Sequence, residues 1–236
     1  MLKETTKINM KYDDRFINEL NLPWLPWIGK DFDNSDIKMM ILGESTYNWN
    51  PNDIEILKRI NNSNHLRVLH QNHAINSKSK SPYVRNIERA IYQIQRPRNE
   101  NKLNLWNKVV YHNLVLRYMP TRKSRPTYDD YKIGWEKYLL IIKILYIDEC
   151  LVYGLEAKKY NALIEVLKYE KIEFKYFKLL TKVGRSYPRV IEFKIDDLTH
   201  KILFISHPSS FFSWRKWGRV IRENLRVFSS IIDEKE

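Results

Sequence analysis

Cysteine is almost absent from this sequence of 236 residues, which contains only Cys150. A single thiol cannot form an intrachain disulfide, and it cannot supply the set of thiolates that holds a structural zinc ion or an iron–sulfur cluster. The sequence therefore excludes both a disulfide framework and a cysteine-bound cluster.

Long apolar runs are missing as well. No run approaches the roughly 18 residues that indicate a membrane-spanning helix, and residues 1–7 lack the apolar core of a signal peptide. We therefore expect a soluble, cytoplasmic protein without a membrane partner. The hydrophobic content of 43% suffices for one core of ordinary size, so we predict a single domain over residues 1–236.

Acidic residues are in deficit, since 28 Asp and Glu stand against 41 Lys and Arg, for a formal charge of +13. Basic side chains that neutralise phosphates release counterions, which drives association with a polyanion. The expected large partner is DNA. Charge alone also fits a basic surface without a specific partner.

Short apolar runs alternate with stretches of helical periodicity, the pattern of a sheet covered by helices. Thr127 and Asp130 form a predicted capping box, and Ser81 followed by Pro82 is a typical helix start. The pattern predicts a three-layer α/β/α domain with a mainly parallel, four-stranded central sheet. The predicted core strands are 38–42, 109–116, 149–153 and 201–206, with short extended runs at 173–178 and 189–194. Helices are predicted to begin near 82, 128, 157 and 212.

Residues 61–81 are rich in Asn, Ser, Lys and His and show no sustained periodicity. We interpret them as an exposed basic insertion that faces DNA. His65, His70 and His73 lie within it, but their spacing and surroundings match no known zinc motif, so no metal is expected.

Four short polar segments follow predicted strands or the loops next to them. They read Gly-Glu-Ser-Thr-Tyr-Asn at 43–48, Asn at 113, Arg-Pro-Thr at 125–127 and His-Pro-Ser at 207–209. The carboxyl ends of parallel strands lie at one edge of a sheet, where open α/β folds bind their ligands. The four segments therefore predict one shared site.

In this order the segments resemble the motifs of the uracil-DNA glycosylase superfamily. Gly43 and Tyr47 match its first motif, Asn113 and Arg125 are similar to the strand and arginine-proline loop of its iron–sulfur branch, and 207–209 match its last motif. The resemblance spans about 22–228 and is weak in the insertion. It implies a uracil-DNA glycosylase-like fold and a DNA glycosylase, although the cluster cysteines of that branch are absent.

Base excision needs a pocket that reads an extruded base and a donor that stabilises the departing base anion. By resemblance, a neutral His207 would donate a hydrogen bond to the pyrimidine O2. The amide of Asn113 would pair with the base edge, with Gly43, Ser45 and Tyr47 completing the pocket. A buried strand asparagine bonded to backbone is the alternative interpretation of Asn113.

The residue that activates water is less clearly indicated, because Ser45 stands where many relatives have Asp or Asn. Glu44 could accept a proton or stabilise a cationic sugar, and Asn48 could position water. We favour Glu44 over Asn48. Alternatively, Glu44 holds the loop through backbone N–H groups, and Tyr47 packs against the sheet edge.

Residues after the last strand are expected to bind DNA. The serines would hold a phosphate at a helix N-terminus, while Phe211 or Phe212 fills the space that the flipped base leaves. The predicted DNA-binding residues are Arg125, Ser209, Ser210, Phe211 and Arg215.

Two substrates fit the resemblance. Tyr47 favours uracil, because that position in uracil-specific relatives excludes a C5 methyl group, which would indicate DNA repair. The altered Ser45 and the insertion permit a reshaped pocket for a modified pyrimidine such as phage DNA carries, which would indicate antiviral defence.

No lysine or terminal amine lies in a Schiff-base motif, so we predict a monofunctional enzyme that leaves an abasic site. The expected protein is a monomer without metal or organic cofactor, and its product would pass to an abasic-site endonuclease. The competing class is a non-catalytic DNA-binding protein that retains the base pocket. A metal-dependent nuclease is disfavoured, because no carboxylate cluster typical of a two-metal site is present.

Overall fold

The computed structural model describes residues 8–47, 54–76, 81–121, 123–209 and 211–226. Asn48 and Ser210, two of the predicted site residues, lie outside the described residues, as does Phe228 at the end of the predicted last helix. No helix within these ranges combines the length and the apolar character needed to cross a membrane.

Nine strands are present among the described residues. In chain order they are β1 (Trp27–Ile28), β2 (Met39–Gly43), β3 (Thr46–Tyr47), β4 (Val109–Asn113), β5 (Tyr118–Met119), β6 (Glu149–Tyr153), β7 (Phe174–Lys178), β8 (Arg189–Ile195) and β9 (Leu198–Ile205).

Seven of these strands form one sheet in the order β1-β4-β2-β6-β9-β8-β7. The neighbours β4, β2, β6 and β9 pair in parallel, while β1 and the β7 and β8 pair add antiparallel strands at the two edges. The four predicted strands are therefore the parallel centre, but the sheet is wider than predicted. It widens because β8 and β9 form a hairpin, in which Asp196 has the positive φ that tight hairpin turns require.

Helices cover both faces of this sheet. They are α1 (Asp13–Asn18), α2 (Ile54–Ile60), α3 (His65–His70), α4 (Pro82–Tyr92), α5 (Asn99–Lys108), α6 (Tyr128–Leu145), α7 (Ala157–Tyr169) and α8 (Trp214–Asn224). Apolar residues of α1, α6 and α7 form one buried layer, and those of α4, α5 and α8 form the other. The protein is thus a mixed α/β domain with a mostly parallel central sheet flanked by helices.

Several predicted helix starts are confirmed. The Thr127 hydroxyl accepts from the Asp130 backbone N–H at 3.2 Å, and the Asp130 carboxylate accepts from the Thr127 N–H at 2.7 Å. Pro82 opens α4 as predicted, whereas α8 begins at Trp214, two residues after the predicted start. The helices α1, α2, α3 and α5 were not predicted.

The prediction of an exposed insertion at 61–81 is wrong for residues 65–75, which pack against the domain. α3 continues into one π-helical turn (Gln71–Ile75), and together they bury Leu66, His70 and Ala74. Arg67 is fully buried, and its guanidinium contacts both carboxylate oxygens of Asp13 at 2.6 and 2.5 Å. The composition of this segment did not predict its burial, because most of its buried positions are histidine or arginine.

Replacing Arg67 with alanine tests whether the segment is part of the core. The change leaves Asp13 without its buried partner, so we expect the free energy of unfolding to fall by about 3 kcal/mol in urea denaturation. The control is Lys58→Ala, whose pair with Glu55 is 68% and 72% exposed, and which should cost less than about 0.5 kcal/mol. Equal, small losses in both variants would contradict the packing described.

Candidate active site

A cleft of about 630 Å³ opens at the carboxyl ends of β2, β4, β6 and β9. It lies where the parallel sheet predicts a site, and every one of the four polar segments contributes to its lining. The predicted residues that line it are Gly43, Glu44, Ser45, Tyr47, Asn113, Arg125, His207 and Ser209.

Glu44 follows β2 and is held by two side chains that the sequence did not indicate. Its carboxylate accepts from Lys159 Nζ at 2.6 Å and from the Tyr131 hydroxyl at 3.1 Å. Burial would raise the pKa of Glu44, but the charge and hydrogen bond of Lys159 outweigh it, helped by His207 and Tyr131, and the pKa falls below its ordinary 4.5. Glu44 is therefore an anion at neutral pH, and among the described residues its carboxylate is held by side chains and by no backbone N–H group.

The side chain of Lys159 is held at the end of β6. Its fully buried ammonium also donates to the Tyr153 carbonyl at 2.5 Å. A Cβ on Gly154 would lie 2.3 Å from Nζ, and the φ of +95° at Gly154 is one that side chains rarely adopt. Glycine at 154 is thus required both by the backbone and by the lysine beside it.

His207 lies at the end of β9 with one ring nitrogen engaged. The Ser209 backbone N–H donates to Nδ1 at 3.3 Å, and the Ser209 hydroxyl lies 2.9 Å from the same atom. Because a backbone N–H can only donate, Nδ1 carries the lone pair and the neutral ring bears its proton on Nε2. Burial lowers the pKa of His207 below 6.5, Glu44 opposes this shift and Lys159 reinforces it. The ring is therefore a neutral N–H donor at pH 7.

The loop that carries His207 is fixed from α4, because the Asn86 amide donates to the Pro208 carbonyl at 2.7 Å. The edge of the Tyr153 ring also packs against the imidazole, with centroids 5.8 Å apart.

Asn113 ends β4 directly beside β2. Its amide donates to the Thr46 hydroxyl at 2.9 Å, and the Tyr111 hydroxyl lies 3.4 Å from its oxygen. A Cβ on Gly43 would lie 2.4 Å from that oxygen, so the glycine lets the amide approach the strand closely. Within the described ranges the Asn113 side chain is therefore bonded by side chains and not by backbone, and one of its amide hydrogens has no partner there.

Tyr47 and Ser45 lie on the short segment after β2. Tyr47 pairs with Met119 in the separate two-stranded sheet of β3 and β5 and packs against the core layer of α6 and α7. The hydroxyl of Ser45 is buried and has no hydrogen-bond partner in the part of the chain that the structure describes.

Of the other residues predicted to bind DNA, two line the cleft and two lie outside its lining. Arg125 and Ser209 are exposed and line the cleft, whereas Phe211 and Arg215 are exposed outside its lining. Phe211 is fully exposed at a φ of +50°, while Phe212 stacks on Trp217. Of the two phenylalanines, only Phe211 is free to enter a base stack.

The outer side of α8 is basic. Arg215 lies over the Trp214 ring at 4.2 Å, and the side chains exposed beyond it include three further cations. These are Lys216, Arg219 and Arg222.

One side of the cleft is an aromatic wall, which we define as His70, Tyr83, Tyr111 and Tyr153. His70 stacks on Tyr111 with centroids 4.3 Å apart and an interplanar angle of 15°, and Tyr83 lies parallel to Tyr111 at 6.5 Å. Sequence reasoning missed the wall, because its residues come from α3, α4, β4 and β6 and share no motif.

Lys159 and Tyr131 were also missed. Lys159 lies in the first turn of α7 and Tyr131 in the first turn of α6, where polar side chains are ordinarily solvated. The only available signal was Gly154, which marks an unusual backbone between β6 and α7.

Within the described part of the chain, no group of three or more His, Cys, Asp or Glu side chains is placed to hold a metal ion. Comparison with known proteins does not assign a family: no protein-family model matches the chain, and no curated protein matches it significantly. The relationship suggested by the motifs stays a prediction.

Lys159→Met tests the electrostatics of Glu44. Without the cation, burial dominates, so we expect the pKa of Glu44 to rise above 4.5 in a carboxyl NMR titration. In the wild type the lowered pKa stabilises the fold above about pH 4.5, and this contribution is lost as the pH falls through the folded pKa.

In Lys159→Met the sign reverses, and raising the pH should destabilise the protein. The matched control is Lys132→Met, which removes a lysine from the exposed Glu165 and should leave the Glu44 titration unchanged. An unshifted Glu44 in Lys159→Met would contradict the assigned cause.

Proposed function

We propose that this protein is a monofunctional DNA glycosylase that flips out a pyrimidine and hydrolyses its N-glycosidic bond. The observation that supports this most is the pairing of an anion and a neutral donor in one cleft: Glu44, ionised by Lys159, and His207, protonated on Nε2. These two groups match the two charges that develop when the bond breaks.

In the proposed reaction the bond between the sugar C1′ and the base nitrogen breaks, and its electron pair leaves with the base. Negative charge then grows on the pyrimidine O2, where the Nε2–H of His207 would donate a hydrogen bond. Positive charge grows on the sugar, where the Glu44 carboxylate would stabilise it, as carboxylates do in glycoside hydrolysis. Water adds its hydroxide to C1′, and its proton ultimately neutralises the base anion.

The lowered pKa of Glu44 makes it a weak base. An oxocarbenium-like sugar needs little assistance from a base, so the main tasks of Glu44 would be charge stabilisation and orientation of water. Asn48 lies outside the described residues, and its role in positioning water stays a prediction.

The groups around the cleft support a DNA substrate. Arg125 and Ser209 lie at the mouth, the exposed side of α8 is basic, and the fully exposed Phe211 could fill the gap in the stack. The Asn113 amide would read the edge of the flipped base. Both uracil and a modified pyrimidine remain candidate bases, for repair and antiviral defence respectively.

A base-release assay by mass spectrometry tests this proposal directly. Purified protein with EDTA is incubated with uracil-containing DNA and with DNA that carries modified cytosines or thymines. Release of a free base and formation of abasic sites would support a glycosylase. DNA binding without any release would instead favour the non-catalytic DNA-binding protein.

We expect His207→Ala to lower the single-turnover rate of base release about a hundredfold or more, because one donor to the developing anion is lost. DNA affinity should change little in a fluorescence binding assay. His207→Gln, which retains an N–H donor, should recover part of the rate. An unchanged rate in His207→Ala would refute the assigned role.

Phe211→Ala should lower base release from duplex DNA at least about tenfold, because unstacking a paired base costs a few kcal/mol that an inserted side chain helps to offset. Release from single-stranded DNA of the same sequence should change little. The control is Leu180→Ala, another exposed apolar side chain outside the cleft lining. Equal losses on both substrates would argue against a wedge.

A further inference from the structure

The aromatic wall extends the cleft beyond what the proposed chemistry uses. Glu44 and His207 suffice for bond cleavage and Asn113 for the base edge, yet the cleft has a volume of about 630 Å³. Pockets of roughly 300–1,000 Å³ hold ligands much larger than one pyrimidine ring. The additional lining comes from α3, the π-helical turn and α4, and includes Leu66, Leu69, His70, His73 and Tyr83.

Polar atoms in this wall are buried without partners among the described residues. Tyr153 and His70 are each 1% exposed, and within that part of the chain neither the Tyr153 hydroxyl nor either ring nitrogen of His70 has a hydrogen-bond partner. Leaving such a group unpaired is unfavourable, so a ligand group that enters the cleft and pairs with it gains affinity. The buried Ser45 hydroxyl at the same cleft has no partner in the described ranges either.

The wall is also uncharged. Burial lowers the pKa of His70 to about 3 and raises those of Tyr111 and Tyr153 far above their ordinary value, so imidazole and phenols are neutral at pH 7. A neutral imidazole offers one donor and one acceptor, and a phenol offers both. Flat rings with such polar edges suit a neutral ligand that bears hydroxyl groups.

Tyr47 also lines the cleft, but it packs against a different core layer from the wall. Tyr47 contacts the layer of α6 and α7, whereas Tyr111 and Tyr153 belong to the layer of α4, α5 and α8 on the opposite face of the sheet. A substituent on the base that extends towards the wall would therefore point away from the layer that holds Tyr47.

We propose that the wall is a subsite for a neutral, hydroxyl-bearing substituent on the target pyrimidine, such as a hydroxymethyl group or a hexose attached through it. Tyr153 and His70 would bond its hydroxyls, while the ring of Tyr111 packs against it. The inference rests on the proposed glycosylase activity and names the substrate class of the same site.

The test compares three duplexes of one sequence that contain uracil, 5-hydroxymethylcytosine or hexosylated 5-hydroxymethylcytosine. We expect the wild type to prefer one of the two hydroxyl-bearing bases over uracil in kcat/KM by about a hundredfold or more, because a site built to bond hydroxyls discriminates strongly against analogues that lack them.

Two variants remove polar atoms from the wall. Tyr153→Phe deletes only the hydroxyl, and His70→Phe removes both ring nitrogens while it keeps a ring, of larger size, against Tyr111. Each should reduce the preference at least about fivefold. Because the Tyr153 hydroxyl bonds to nothing in the described protein, Tyr153→Phe should unfold at or above the wild-type temperature and tests the subsite without a change in packing. The control, Tyr169→Phe at an exposed position, should leave the preference unchanged.

The outcomes separate the two proposals. Release of uracil as fast as the modified bases, or an unchanged preference in both variants, would overturn the subsite and leave the glycosylase intact. If no base is released from any duplex, the proposed function fails, and the dissociation constants of the same duplexes decide the subsite. A preference in binding that Tyr153→Phe weakens would support it, and equal binding would overturn it.

Discussion

The buried ion pair between Lys159 and Glu44 joins the elements that form the site. The ammonium contacts the carboxylate after β2 and the carbonyl at the end of β6, while the lysine itself belongs to α7. Burying either charge alone would cost several kcal/mol, so each side chain holds the other in place. The close approach of the lysine requires Gly154, since any Cβ there would overlap Nζ. The position of Lys159, the charge on Glu44 and the backbone conformation of Gly154 therefore depend on one another.

The pair ionises its own carboxylate, while burial keeps the neighbouring imidazole neutral. Lys159 lowers the pKa of Glu44. Burial lowers the pKa of His207, Glu44 opposes that shift and Lys159 reinforces it. The bond from the Ser209 N–H then selects the Nε2–H tautomer. The lysine and the burial of the imidazole thus maintain an anion and a neutral donor side by side, and groups held in different charge states are what acid–base and electrostatic catalysis require.

Much of the framework could be predicted from the sequence, because it depends on local signals. Apolar runs marked the four parallel strands, and the capping box at Thr127 marked the start of α6. The polar residues after those strands met in one cleft, since parallel strands align their carboxyl ends. Lys159, His70 and Arg67 escaped prediction for a shared reason. Each is a polar residue that is buried against residues distant in the sequence, and neither hydropathy nor spacing indicates such contacts.

Two parts of the chain therefore have separable tasks. The groups proposed to act on the glycosidic bond lie at or just after strand ends, where Lys159 holds Glu44 and Asn86 fixes the loop of His207. The wall, in contrast, is formed largely by the helical segment between β2 and β4 together with Tyr111 and Tyr153. Arg67 anchors that segment through Asp13 and not through the cleft. Side chains of the segment can consequently change the shape of the pocket without moving Glu44 or His207. Selectivity for the base would then be adjusted independently of the charges that cleave the bond.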